Sequence, residues 1–113
     1  MVMMVDARQS LMALQDANQK RCAMAAVRSE ISALGLEEGR LLVAGILDGE
    51  LERPAAQAMT IWRLLTAITR LGPSRVERYL RRANVITGDR RVRELTNRQR
   101  VAVAAQLRGE DPA

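Results

Sequence analysis

Apolar residues return along this chain mostly at intervals of three and four, the spacing of one helix face, and nowhere alternate long enough to predict a strand. The first such stretch opens where Asp6 is followed three residues later by Gln9, a capping signal, and no Pro or Gly interrupts it before Leu34. It predicts one long helix. Val27, Ile31 and Leu34 repeat at i, i+4 and i+7, so its C-terminal half should pack on a body. Leu11 and Leu14 mark a weaker stripe, and the first half is left to project or fray. Gly35 is placed to end the helix as a left-handed cap. A short helix over Glu37 to Leu47 should follow, with Leu41, Leu42 and Ile46 inward and Asp48-Gly49 as its stop. The next stretch, DGELERPAAQ, carries Gly, Pro and charge without periodicity and predicts a connector rather than a domain boundary.

From Met59 the helical spacing resumes at Ile61, Leu64, Leu65, Ile68 and Leu71, until Gly72-Pro73 breaks it. Ser74 and Glu77 make a capping box that predicts a helix to about Ala83. Val76, Tyr79 and Leu80 share one of its faces, and Arg75, Arg78, Arg81 and Arg82 surround the rest. Asn84 can take a left-handed cap, and Val85 to Leu95 form a second connection with Gly88 and the basic cluster Arg90, Arg91 and Arg93. A second capping box, Thr96 with Gln99, opens a last helix through Val101, Val103, Ala104 and Leu107 to a Gly109 stop, with Glu110 to Ala113 as a frayed tail. The expected class is all-α. The chain is read as a single domain over residues 1–113, in which an N-terminal half (residues 1–57) precedes a C-terminal half (residues 58–109) and the tail (residues 110–113).

Composition agrees with helix. There is no Phe, one Tyr and one Trp, so Leu, Val, Ile, Ala and Met must build a modest core. Charge adds an asymmetry that periodicity does not show. The first 57 residues hold six basic and eight acidic side chains, a formal −2, whereas residues 58–113 hold twelve and five, a formal +7. A positive half is what a polyanion-binding face requires, because phosphate neutralisation with counterion release supplies most sequence-independent nucleic-acid affinity. A solvated Arg-rich surface would share the same charge.

The chemistry of enzymes is thinly represented. With no His, the usual general base, His-dependent nucleophile pairs and His-containing zinc sites are excluded, and one Cys rules out thiolate clusters. Glu37-Glu38 reads as solvated surface, and no phosphate-binding glycine pattern occurs. No catalytic residue, metal or cofactor is expected. Cys22 should be a small helix-packing residue in a reducing compartment. The N-terminus lacks signal-peptide features and the longest apolar run, 41–47, is too short to span a bilayer, so a cytoplasmic protein is expected. What remains is a helix, a tight Gly72 turn, a helix N-terminus with Arg75 in its first turn, and a second turn with three arginines. Helix N-termini present unpaired N–H groups and a positive dipole end to phosphate. Arg70 could add its charge if its side chain folds back.

The run LTAITRLGPSRVERYLRRANVITGDRRVRELT, residues 65–96, resembles the helix-two-turn-helix of the actinobacterial-type integration host factors and, more distantly, that of the small-subunit ribosomal protein sharing the motif. Both carry a helix, a Gly-containing hairpin, an Arg-bearing helix and a second turn ending as Arg91-Val92-Arg93-Glu94-Leu95 does here. The host-factor likeness extends N-terminally, over about residues 8–108. It implies a long N-terminal helix packed on a C-terminal helix-two-turn-helix, and an architectural protein that binds and bends duplex DNA, organises the nucleoid and assists an integrase or other recombination protein. Carried over by position, phosphate contacts fall at Leu71, Gly72, Ser74 and Arg75 and at Arg90, Arg91 and Arg93, with Arg70 an added charge and Lys20, Arg21 and Arg28 on the long helix. Two positions depart from the family pattern: Arg70 replaces the first hairpin Gly, and Pro73, which has no N–H, follows the second. That divergence suggests a phage or mobile-element member. A nucleoid-associated monomer is expected. The alternatives are RNA binding, as in the ribosomal relative, and a phage-type protein-interaction or inhibitor role, to which Met3, Met4, Leu11 and Met12 point.

Overall fold

The computed structural model describes the backbone of residues 2–109 and the side chains of 10–109, and among these every regular element is helical. The order is α1 (Val2–Ser32), α2 (Leu36–Asp48), α3 (Pro54–Gln57), α4 (Ile61–Thr66), α5 (Pro73–Arg82), a 3-10 turn at Val92–Glu94, and α6 (Asn97–Leu107). The side chains of Met3 and Met4 and the tail expected over Glu110 to Ala113 lie outside the described residues.

α1 passes through Asp6, which is therefore not its cap; nothing in the Val and Met residues before it stops a helix from extending backward. Of its side chains, Val27 and Ile31 are buried and Met24 half-buried, while Leu11, Met12 and Leu14 are 59%, 66% and 58% exposed. The first half thus projects from the body. Cys22 sits exposed rather than packed. Gly35 is extended (φ −69°), not left-handed: α1 has already closed with Leu34 N–H on Ile31 O, and Gly35 serves as N-cap of α2.

The buried stripe of α2 is Gly39, Val43, Ile46 and Leu47, at i, i+4, i+7 and i+8, with Ala44 beside it. Leu41 falls opposite that stripe and points outward, 56% exposed, contrary to the inward placement its hydrophobicity suggests. Gly49 ends α2 at φ 88°. The connector holds one helical turn, α3, because Pro54 at its first position is pre-set in φ and Ala55-Ala56 continue it.

α4 stops at Thr66, five residues before the expected end. The Thr66 hydroxyl bonds back to Trp62 O, and α1 takes over beyond it: Ser32 Oγ donates to Ala67 O (3.1 Å) and Thr69 Oγ1 to Ser32 O (2.9 Å). Ile68 and Leu71 remain buried because i→i+3 turns, Ile68 N–H on Leu65 O and Leu71 N–H on Ile68 O, preserve their spacing. α5 begins at Pro73 with Gly72 as its N-cap, so Ser74 lies inside the first turn and the Ser74-Glu77 capping box does not form. Asn84 is left-handed (φ 60°) as expected. The Thr96-Gln99 box forms in full, with Gln99 N–H on Thr96 Oγ1 and Thr96 N–H on Gln99 Oε1.

Side chains from all six helices and the 3-10 turn meet in one core, with Ile31, Ile46, Leu47, Ile61, Leu64, Leu65, Val92, Val103 and Leu107 fully enclosed. Each such Leu or Ile contributes about 1.5–3 kcal/mol on burial. Val101 is exposed, so the inward face of α6 is Val103, Ala104, Gln106 and Leu107.

Candidate nucleic-acid interface

α4 is the spine of the basic half, and its ends carry the two turns. At its N-terminus Thr60 caps Arg63 N–H, and the next orphan donors are satisfied by the second turn: Ile61 N–H bonds to Arg90 O (2.8 Å) and Trp62 N–H to Gly88 O (3.1 Å). Val92 N–H returns to Met59 O (2.9 Å). Gly88 lies flat against the indole, where an added Cβ would sit 2.8 Å from Trp62 Cβ. The Arg90–Arg93 segment is therefore held by backbone bonds to α4 and the residues just before it.

At the other end the chain turns through Arg70, whose φ of 68° is in the left-handed region, and enters α5 at Gly72-Pro73. Arg70, Gly72, Ser74 and Arg75 are all exposed there. Leu71 is not: its side chain is 2% exposed and its N–H is already bonded, so it is core rather than contact. The Arg75 N–H bonds to Gly72 O and Pro73 has none, which leaves the Gly72 and Ser74 amides, on exposed residues flanked by Arg70 and Arg75, with no backbone partner among the described residues.

On the second turn Arg90 and Arg93 are exposed and make no side-chain hydrogen bond or ion pair among the described residues. Arg91 differs. Its Nη1 donates to Ala58 O (2.8 Å) and its N–H to Glu94 Oε1 (3.0 Å), so it braces the turn against the end of α3. Between the two clusters lies α4, whose six residues rise about 9 Å.

On α1, Arg21, Arg28 and Ser32 share a stripe at i, i+7 and i+11. Ser32 is bonded to Ala67 and Thr69, which puts Arg28 one helical turn from the hairpin and Arg21 two turns further. Lys20 lies on the other, body-packing stripe and pairs with Asp16 (3.2 Å), so it does not join the cluster.

Two further cations are structural. Arg53 grips Glu30 with two hydrogen bonds of 2.9 Å, which lower the carboxyl below its ordinary range and raise the guanidinium. Burial alone would raise Asp48, but hydrogen bonds from Arg108 and from Glu50 N–H, with the Arg108 charge, hold it below the usual value. Among the described residues no three His, Cys, Asp or Glu side chains gather as for a metal ion, and no helix is long and apolar enough to cross a membrane.

Two concavities have no counterpart in the sequence pattern. One, of about 710 Å³, runs between Trp62 and Arg81 under Ile86, whose side chain is 96% exposed. The other, of about 300 Å³, is lined by Arg40, Arg75, Arg78, Tyr79, Arg82 and Gln106. The stripe Arg75, Arg78, Arg82 is visible as i, i+3, i+7 spacing, but nothing local brings Arg40 to it. Compared with protein-family models, curated proteins and solved structures, the chain matches none.

Proposed function

We propose that this is a non-enzymatic architectural protein that binds duplex DNA by its backbone, largely without regard to sequence, and bends it. The observation that carries the reading is the pair of exposed Arg clusters, Arg70 with Arg75 and Arg90 with Arg93, set at the two ends of α4 by backbone hydrogen bonds. Basic side chains on turns suit phosphate and sugar contact rather than base reading from a groove-entering helix. Arg28, one turn from the hairpin, extends the positive track onto α1. Ile86, alone and fully exposed on the second turn, is the kind of apolar group that bending proteins insert between base steps. The likeness of residues 65–96 to the integration host factors supports the same reading, with nucleoid organisation or assistance to a recombinase as its setting.

A salt titration tests it. Five or six neutralised phosphates give a log-log slope of binding against salt near −5, at ~0.9 per phosphate. A slope shallower than about −2 on mixed-sequence duplex sinks the reading. Competing structured RNA against the same labelled duplex decides between the nucleic acids.

One observation favours a second reading. Leu11 and Leu14 share a face at i, i+3 on the projecting half of α1, with Met12 beside them, all more than half exposed. That suits a helix that docks on a protein partner. Protein that shifts no DNA at ~100 mM salt, yet co-purifies with a partner released by Leu14→Asp, establishes this second reading.

A further inference from the structure

The groove between α4, α5 and the second turn joins an aromatic wall to two unused charges. Trp62, half-buried, and Leu80, buried, make it apolar, and Ile86 stands fully exposed at its rim. Glu77 and Arg81 line the same space from one face of α5, at i and i+4. A glutamate four residues before a basic residue is the arrangement in which the two ordinarily pair on a helix. Here both are exposed, and neither makes a side-chain hydrogen bond or ion pair among the described residues. Glu77 is also the one acid on α5, set among Arg75, Arg78, Arg81 and Arg82, and the capping box that would have used it does not form. An acid so placed weakens the pull of that helix on any polyanion, so its carboxylate is best explained by a ligand that donates to it. The remaining wall, residues 85–88, leads two residues on to Arg90.

Resting on the architectural reading, we propose that this groove receives one base unstacked from the duplex, guanine in preference to thymine. A strand whose phosphate is held at Arg90 runs beside the mouth of the groove. Ile86 parts a base step there, and the freed base lodges against the Trp62 indole. The groove, about 710 Å³, lies within the range of about 300–1,000 Å³ that small-ligand sites occupy. Its two charges narrow the class of base. Guanine N1–H and N2–H point the same way and donate to the two oxygens of a carboxylate such as Glu77, while O6 and N7 accept from a guanidinium such as Arg81. Thymine has one ring N–H and no N7, so it answers neither group fully.

Trp62 is the chain's one tryptophan, so its emission reports on the groove directly. The test titrates the full chain with labelled duplexes of one sequence that carry, at the same position, an extrahelical guanine, an extrahelical thymine, an extrahelical abasic residue or no insertion. An unpaired residue spares the cost of breaking a base pair. The guanine duplex should bind about tenfold more tightly than the abasic one, within what one base stacked on an aromatic side chain supplies, and should quench Trp62 most. The abasic and thymine duplexes share its flexibility, so equal affinity for the guanine duplex and either of them means that deformability alone is read, and overturns the proposal. Binding of the guanine duplex without a change in Trp62 emission overturns it as well. Glu77→Gln, at an exposed position, should fold and should abolish the preference for guanine over thymine while paired-duplex affinity holds or rises; an undiminished preference overturns the assignment. A steep salt slope on the paired duplex with no preference for guanine removes this proposal alone, whereas failure to bind any duplex removes the architectural reading and this inference with it.

Discussion

Arg70 carries a conformational penalty that its neighbours do not explain. A non-glycine residue at φ 68° costs about 1 kcal/mol, and among the described residues only Asn84, a residue type that tolerates this region, shares the feature. Strain kept at a surface turn suggests that the side chain is wanted there, and Arg70 is exposed close to the α5 N-terminus. Two substitutions separate backbone from charge. Arg70→Ala keeps the strain and loses the cation; Arg70→Gly relieves the strain, less the greater entropy of Gly in the unfolded chain. The glycine variant should therefore be the more stable by about 0.5 kcal/mol, a difference of about 2–3 °C in Tm for a chain of this size. Both should lose the same phosphate contact, flattening the salt slope of duplex binding by ~0.9. Differential scanning calorimetry and fluorescence-anisotropy titrations at four salt concentrations read the two effects separately. Equal Tm values for the two variants would refute the strain, and unchanged slopes would refute the contact.

Arg91 and Arg93 should part company although they are near neighbours. Arg91→Ala, which removes the bond to Ala58 O, should cost about 1 kcal/mol of stability in urea melts, while Arg93→Ala leaves stability unchanged and flattens the salt slope. Gly88→Ala drives a methyl against Trp62 and should cost about 1–3 kcal/mol, with the indole emission changing in the folded state; a melt superimposable on wild type would mean the second turn is not seated as described. Ile86→Ala should reduce the end-to-end approach of a fluorescently labelled duplex without altering the salt slope, and an unaltered bend excludes the wedge. Glu30 and Asp48 have folded pKa values below their ordinary 4.5 and 3.8, so their contribution is present above those values and is lost as pH falls through the folded ones. The urea midpoint should be flat from neutrality to about pH 5 and fall below it, less steeply in Asp48→Asn; an identical acid limb in that variant contradicts the pairing with Arg108.

The helices whose ends are decided locally were legible. α6 is announced by Thr96 and Gln99, and both side chains make the bonds their spacing implies. The end of α4 was not legible, because it is decided from 35 and more residues away, where Ser32 on α1 takes over the carbonyl of Ala67 and the hydroxyl of Thr69. The apolar spacing of Ile68 and Leu71 survives in the i→i+3 turns that replace the helix, so periodicity could not report the change. The same distinction divides the site. Turn chemistry located Arg70, Arg75, Arg90 and Arg93 from sequence, since exposure is the default for Arg on a turn. That Arg91 is a brace, Leu71 a core residue and Arg40 a neighbour of Arg75 depends on contacts between segments far apart in the chain.

A spacing set by backbone rather than by side chains has a mechanical consequence. Long arginines on a flexible surface adapt to whatever phosphate positions a duplex presents, and in doing so exert no force on it. Here the second turn gives its carbonyls to the first amides of α4, and the hairpin is tied to α1 through Ser32, so the backbones that carry the two Arg clusters cannot approach or separate without breaking bonds in the body. On the proposed reading, a duplex whose phosphates lie outside the reach set by that separation deforms to satisfy both clusters, and the cost of that deformation depends on sequence even where no base is touched. Preference for flexible steps, such as TA over A-tract, should then weaken when either tie is cut. Ser32→Ala combined with Thr69→Val, which removes both hydroxyls and no charge, is the cleanest cut: it should leave the salt slope unchanged and narrow the affinity difference between flexible and stiff duplexes, and an undiminished difference would show that the tie to Ser32 does not set the spacing.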